Sequence, residues 1–422
     1  MERGTYQTTL VTIPTCPGLR ESHYDHGFDD AAFAWDAPVA RMMIFEPTQS
    51  NGMDSSSPKR HLSAKLVSDT TSKRKGGVTM KLSRVGVDLA KNVYQLHGVD
   101  RSGKTVLKRR LKRHQWLNVL LDKTEPGCVI GMEACASAHH WGRELQCRGY
   151  TVKLIPPQFV KPYVKSNKND ARDAEAICEA MSRPNMRFVT VKTVDQQDIQ
   201  ATHRIRAELM TQRTAKANQI RGLVAEYGLV TPKRLSSLRA AIPCWLEDAE
   251  NGLTGDFRAL LQGVWEDLRL LDDRVGEMDQ KIKRLADNNE DCVRLQQLRG
   301  IGPMTSTAMI ATVGDARQYQ RSRQMAAAIG ITPKQHSSGD RDRLLGISKR
   351  GDVYLRTLMI HGARAVVARA KHKDDRLSRW VTNIANKKHP NVAAVALANK
   401  TARMAWAILR NKTDYDPDFA IR

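Results

Sequence analysis

Two aspartates three residues apart, in Lys168-Asn169-Asp170-Ala171-Arg172-Asp173-Ala174, open what reads as the first turn of a helix. Positions i and i+3 share a helix face, so Asp170 and Asp173 can point into one site. Like charges held that close repel, unless water or a divalent cation lies between them. Upstream, Val85-Gly86-Val87-Asp88-Leu89-Ala90 reads as a buried strand with Asp88 near its end, and Cys128–Glu133 as a second strand ending on Glu133. Ligands of open α/β sheets bind at strand ends. Asp88, Glu133, Asp170 and Asp173 are therefore a candidate cluster of hard oxygen donors suited to Mg²⁺ or Mn²⁺, and a pair of such ions is the usual device for phosphoryl transfer. Singly, an acid at a strand end is more often a cap or a solvated turn residue, and a lone D-x-x-D on a helix is common. The order strand, strand, helix is what joins them.

Sixty-eight Lys and Arg against 45 Asp and Glu give a formal charge of +23, the electrostatic footprint of a nucleic-acid partner. No apolar run is long enough to span a membrane, and the start of the chain lacks the charged-then-apolar pattern of a signal peptide, so the cytoplasm is the expected location. Seven scattered cysteines without a C-x-x-C pair argue against a disulfide framework and a zinc site. Aromatic residues make up only 5%, which disfavours binding by base stacking.

Residues 1–79 mix Gly, Pro, Ser, Asp and His without a sustained period and read as a poorly ordered segment. Lys75-Gly76-Gly77 can be encoded by a sequence containing GGAGG, a bacterial ribosome-binding site, so Met80 is the expected start and 1–79 a translated leader. From Lys81 the pattern tightens. Arg84–Leu89, Val93–Val99 and Lys104–Arg110 read as three strands, followed by helix His114–Asp122, strand Cys128–Glu133, helix His139–Arg148 and strand Tyr150–Ile155. That order predicts an α/β, ribonuclease-H-like domain over 81–190. Val194–Tyr227 and Gly255–Asn288 carry helical spacing, predicting a coiled-coil linker over 191–290, with a turn-rich stretch, Thr231–Leu253, between its arms. Its basic face includes Arg204, Arg206, Arg213, Lys216 and Arg221, open either to nucleic acid or simply to solvent. A mainly α-helical domain is expected over 291–411, with 412–422 a tail. In it Gly300-Ile301-Gly302-Pro303 reads as a helix-hairpin-helix-like turn whose N–H groups, at Gly300 and Gly302, could hold a phosphate; an ordinary helix start would look the same.

The candidate nucleophile lies in Lys334-Gln335-His336-Ser337-Ser338-Gly339-Asp340-Arg341-Asp342-Arg343. A serine beside a glycine, flanked by Lys334, Arg341, Arg343, Lys349 and Arg350, has the exposure and the cations that attack on a phosphodiester requires. A Ser-Ser-Gly turn that only touches phosphate is the alternative. His336, a lone loop histidine, is read as a contact and not as a base.

Taken in order, Gly86-Val87-Asp88-Leu89-Ala90-Lys91, Met132-Glu133-Ala134-Cys135, Asn169-Asp170-Ala171-Arg172-Asp173-Ala174, Gly300-Ile301-Gly302-Pro303, Gly330-Ile331-Thr332-Pro333, Gln335-His336-Ser337-Ser338-Gly339 and Ile347-Ser348-Lys349-Arg350-Gly351-Asp352 resemble a transposase of insertion-sequence family 110, subgroup 1111, over about residues 81–411. The resemblance implies a recombinase with a RuvC-like DEDD domain, a coiled-coil linker and a C-terminal transposase domain bearing a catalytic serine. By motif, Asp88, Glu133, Asp170 and Asp173 match the four acids, and Ser338 matches the serine, with Ser337 the neighbouring alternative. It further implies a guide RNA encoded by the element, donor and target DNA, and dimers that meet in a tetramer. Lys168-Asn169 departs from the family's lysine-threonine, leaving both acids intact. A RuvC-like metal-dependent nuclease using the carboxylates alone, and a non-enzymatic nucleic-acid-binding protein with solvated acids, are the competing readings.

Overall fold

Three consecutive strands set the first half of the fold. β1 (Arg84–Leu89) and β2 (Val93–Val99) are buried on both faces over much of their length, β3 (Thr105–Lys112) is exposed except at Leu107 and Leu111, and the three pair antiparallel through tight turns. The computed structural model describes residues 82–164, 170–339 and 341–417, with the side chain of Asp170 excluded. The expected leader 1–79, the Lys168-Asn169 pair, Asp340 and the end of the tail lie outside the described residues. Helices α1 (Trp116–Lys123) and α2 (Ala138–Cys147) alternate with β4 (Val129–Glu133) and β5 (Thr151–Ile155), which join β1 in parallel. The resulting five-stranded sheet has the order β3-β2-β1-β4-β5.

The two faces of this sheet are covered differently. Val85, Val87, Tyr94, Leu96, Ile130, Met132 and Leu154 face α1 and α2, where Tyr94, Trp116 and Trp141 stack edge to face and Trp141 Nε1 donates to Tyr94 Oη at 2.9 Å. Over the other face, after the short α3 (Pro157–Val160), lies α4 (Asp170–Ala180), packed through Ala176, Ile177, Cys178 and Met181 on Val99 and Ile155.

The described residues divide into two units. Thr214–Asp267 contributes one; Pro58–Arg213 with Leu268–Arg422 contributes the other. Helices α5 (Val194–Ala225) and α7 (Gly255–Asp287) pass through both. In the first unit, the stretch expected to be turn-rich forms a helix, α6 (Leu235–Glu247), because Leu238 and Ile242 recur at helical spacing and are fully buried. Arg258 caps its end by donating to the carbonyl oxygens of Trp245, Leu246 and Asp248, groups a helix terminus leaves without partners.

The larger unit also holds a helical core: α8 (Glu290–Gln296), α9 (Pro303–Val313), α10 (Ser322–Ile329), α11 (Val353–Ala370), α12 (Arg376–Lys387) and α13 (Pro390–Asn411). Ala393, Ala394, Ala398, Ala402 and Ala405 of α13 are all fully buried, small residues that let its neighbours approach closely. No helix among the described residues is long and apolar enough to cross a membrane. The mixed α/β first half and mainly helical second half are those expected from the sequence.

Candidate active site

Strand parity fixes where the acids point. An ideal Cβ on Gly86 would lie 2.6 Å from Cys178 N and closer still to the Ala174 carbonyl oxygen, and one on Gly131 would meet Met181 Sδ at 2.8 Å. Residues 86 and 131, neighbours in the parallel register, thus form a notch that seats α4 directly on the backbone. Two residues further along each strand, on the same face, stand Asp88 and Glu133. Val87 pairs with Met132, so the two acids follow side by side at the C-terminal ends of adjacent central strands.

The direction of α4 brings its first turn to that end. Cys178 lies beside Arg84 and Cys128, at the beginnings of β1 and β4, while Ala174 lies over Gly86. Each turn back toward the helix N-terminus moves about 5.4 Å toward Asp88. Asp173 is half-buried there, and Asp170 is the first helical residue. Cys135 reports on the shared field: burial, then the charges of Glu133 and Asp88, push its thiol up from the ordinary range. Gln95, directly across from Asp88 on β2, completes the floor; only register reveals it. The donors are of the kind a hard divalent cation takes, yet among the described residues no three His, Cys, Asp or Glu side chains gather closely enough to hold an ion.

The serines are carried separately. The stretch expected as a loop is a β-hairpin, β6 (Pro333–Gln335) and β7 (Leu344–Ile347), reaching out from the helical core. His336 N–H donates to Arg343 O at 2.9 Å, Arg341 N–H donates to Ser338 O at 3.3 Å, and Gly339 turns the tip at φ +57°. Ser337 Oγ accepts from Gln335 Nε2 at 3.0 Å, whereas Ser338 Oγ has no hydrogen-bond partner among the described residues. Both serines are exposed, as are Lys334, Arg341, Arg343, Lys349 and Arg350. The hairpin's base is rigid. Ser348 N–H donates to Thr332 O, buried Arg356 donates to Ile329 O at 3.1 Å, and Gly330 and Gly351, both at positive φ, press against Arg350 O and Ala328 O so closely that no Cβ would fit. Acids and serines therefore stand on different sheets.

A seam within the larger unit links them. Arg143 of α2 donates to Lys192 O at 2.7 Å, and Lys192 N–H donates to His139 Nδ1 at 3.1 Å. More than two turns into α5, buried His203 bonds Tyr354 Oη and Thr307 Oγ1, each at 3.0 Å, and burial first, then Arg206, holds its pKa down at about 4. Asp352, immediately after Gly351, caps α11 by accepting from Leu355 N–H at 2.9 Å.

The expected basic face of the linker is largely engaged within the protein. In the larger unit Arg206 pairs with Asp279 and Arg213 with Asp272 at 3.4 Å; the seven-residue step is the same on both helices, as in an antiparallel coiled coil. In the smaller unit Lys216 pairs with Asp267 at 3.1 Å, and Arg221 donates to Lys233 O. Arg204 is exposed. Gly300, at φ +86°, is required by packing, since a Cβ there would meet the Gly362 carbonyl oxygen of α11 at 2.9 Å; Gly302 is the N-cap of α9 and has open space beside it.

Comparison with known proteins bears on the same two regions. Residues 292–378 match the family model described as Transposase IS116/IS110/IS902 family, and residues 85–229 match a second transposase model, for DEDD transposases of the IS110 type. A probable family 20 transposase of Pseudomonas aeruginosa is 47% identical over 339 residues, covering 80% of this chain and all of that protein. The transposase for insertion sequence element IS1111A of Coxiella burnetii is 46% identical over 331 residues, 78% of this chain and 90% of its own. That for IS1328 of Yersinia enterocolitica is 39% identical over the same length, 78% and 97%. The acids Asp88, Glu133, Asp170 and Asp173 and the serine hairpin each fall within a matched region, and the chain belongs to the IS110 family of insertion-sequence transposases.

Proposed function

We propose that this transposase cuts and rejoins DNA strands with two sets of groups, the carboxylates on a RuvC-like sheet and a serine on the β6–β7 hairpin. The observation that carries the reading is the placement of Asp88 and Glu133 side by side at the ends of β1 and β4, on the face where α4 begins with Asp170 and Asp173. Mg²⁺ sites are commonly completed by substrate phosphates and water around one or two carboxylates, so an acid cage closed in advance is not required. Asp88, Glu133, Asp170 and Asp173 would hold the cation. When bound, it would neutralise charge developing on the phosphoryl oxygens.

The serine's part follows from exposure and charge. Ser338 Oγ attacks phosphorus, the bridging P–O bond to the departing strand breaks, and the serine proton passes to the departing hydroxyl. The new serine–phosphate ester conserves the bond energy, so attack by another strand's hydroxyl rejoins DNA and restores the serine without an external cofactor. Lys334, Arg341, Arg343, Lys349 and Arg350 supply positive charge along the hairpin and at its base. Acids and serines stand on separate sheets and meet in a site shared by subunits, a dimer joining a second dimer on donor and target DNA, with an element-encoded RNA selecting the sequences.

Strand exchange by Ser338→Ala, Ser337→Ala and Asp88→Asn tests the reading. Ser338→Ala and Asp88→Asn should lose exchange while binding DNA normally. Full exchange by Ser338→Ala moves the nucleophile to Ser337. Full exchange by both serine variants, with Asp88→Asn inactive, favours a nuclease-like carboxylate mechanism.

A further inference from the structure

The register of the sheet places a row of unpaired cations on the acids' own face. Strand β3 is the sheet's edge, and five of the six residues 108–113 are basic: Lys108, Arg109, Arg110, Lys112 and Arg113, all exposed. Arg110 pairs with Gln95, which pairs with Asp88; Lys108 pairs with His97, which pairs with Gly86. Residues paired directly across strands share a face. Lys108, Arg110 and Lys112 therefore lie on the Asp88 side, while Leu107 and Leu111, and with them Arg109, alternate onto the α1 side. With strands about 4.8 Å apart, the Arg110 backbone lies roughly 10 Å from that of Asp88. Among the described residues none of these five cations has an ion-pair or hydrogen-bond partner for its side chain.

Protection of a sheet edge against pairing needs an isolated lysine or two, not a strand charged at four of its last five positions on both faces. Alternate residues on β3 repeat at about 7 Å. One nucleic-acid strand carries a negative charge at every nucleotide, so Lys108, Arg110 and Lys112, in a row on one face, can meet the phosphates of a single backbone laid along the edge. Lys91, in the turn that follows Asp88, and Arg113, whose N–H donates to Asn92 O, extend the charge at the end where the acids stand.

We infer that β3 is a track for one sugar-phosphate backbone, seating a nucleic-acid strand so that a phosphodiester reaches Asp88 and Glu133 from the β2 side. This deepens, and rests on, the reading of the sheet end as the phosphodiester site. The track takes backbone charge, not base sequence, and the partner's identity as DNA or RNA is resolved by the probes.

Binding of the full chain to labelled duplex DNA, single-stranded DNA and duplex RNA of one sequence, measured in EDTA across a salt series, tests it. Lys108→Gln/Arg110→Gln/Lys112→Gln should lower the slope of log K against log salt by about 2 for a single strand or about 3 for a duplex. At ~0.1 M salt the affinity loss should be on the order of 10²-fold. Arg110→Gln alone should lower the slope by about 1, which guards against aggregation of the triple variant. The probe whose slope falls is the track's occupant. A wild-type slope on every probe, or a loss of slope from Arg109→Gln, on the opposite face, equal to that from Arg110→Gln, overturns the inference. The acid-site reading fails separately: reduced slopes with full strand exchange by Asp88→Asn leave the track standing and remove the site.

Discussion

The notch at Gly86 is the most exacting feature of the acidic site, and Gly86→Ala tests it. The added methyl would stand 2.6 Å from Cys178 N, where ordinary contact begins at 3.4 Å, and nearer still to the Ala174 carbonyl oxygen. Both are backbone atoms and cannot rotate aside. Helix α4 must therefore lift by roughly 0.8 Å or more, at an overpacking cost of about 1–3 kcal/mol. The lift carries Asp173 away from Asp88 and Glu133, and a misplacement near 1 Å costs on the order of 10²-fold in rate. Strand exchange by the purified variant should fall by about that factor, with DNA binding unchanged and the urea midpoint lowered. Gly263→Ala provides the contrast, because that glycine sits in α7 with nothing within 4 Å; it should gain about 0.4–1 kcal/mol and keep full activity. A stable, fully active Gly86→Ala enzyme would refute the placement of α4 and the convergence of acids it supports.

Two further outcomes follow from the seam and the hairpin. His203 titrates at about 4 in the folded protein, below its unfolded value near 6.5, so its stabilisation is present above pH ~6.5 and drains away as pH falls toward 4. His203→Phe should flatten that acid limb by on the order of 1 kcal/mol per pH unit in denaturant titrations, while costing about 1–3 kcal/mol at neutral pH for the partners left on Tyr354 and Thr307. Gly351→Ala, at φ +92° with its methyl driven into Ala328 O, should displace the hairpin's base. Strand exchange should then be lost with Asp88-site metal dependence of any residual activity retained, as a plasmid recombination assay would show.

Much of the sheet was legible because its strands are short runs of small and apolar residues bounded by turns: Arg84–Leu89 and Val93–Val99 are observed with the bounds the pattern predicts. Helix α6 was hidden by Pro243 inside it and by polar neighbours, although Leu238 and Ile242 carried the period. The serine hairpin was read as a loop because β6 and β7 are three and four residues long and exposed on both faces, so no alternation marks them. Charge type along α5 was visible, but its partners Asp267, Asp272 and Asp279 lie 51 to 73 residues away, a separation no local pattern spans. Of the site, the order of the acids was readable and their common face was not. That face depends on Gly86 and Gly131 being register neighbours, and on α4 running back along β1.

The account turns on a hydroxyl of the hairpin becoming bonded to DNA under the control of the sheet's acids. Incubating the enzyme with end-labelled recombination DNA and Mg²⁺, quenching in denaturant and mapping the DNA-linked peptide by mass spectrometry measures this directly. The expected result is a phosphate ester on Ser338, absent from Ser338→Ala and from Asp88→Asn. Cut DNA ends with no protein attached, in a reaction that Ser338→Ala and Ser337→Ala both perform at the wild-type rate, would contradict it.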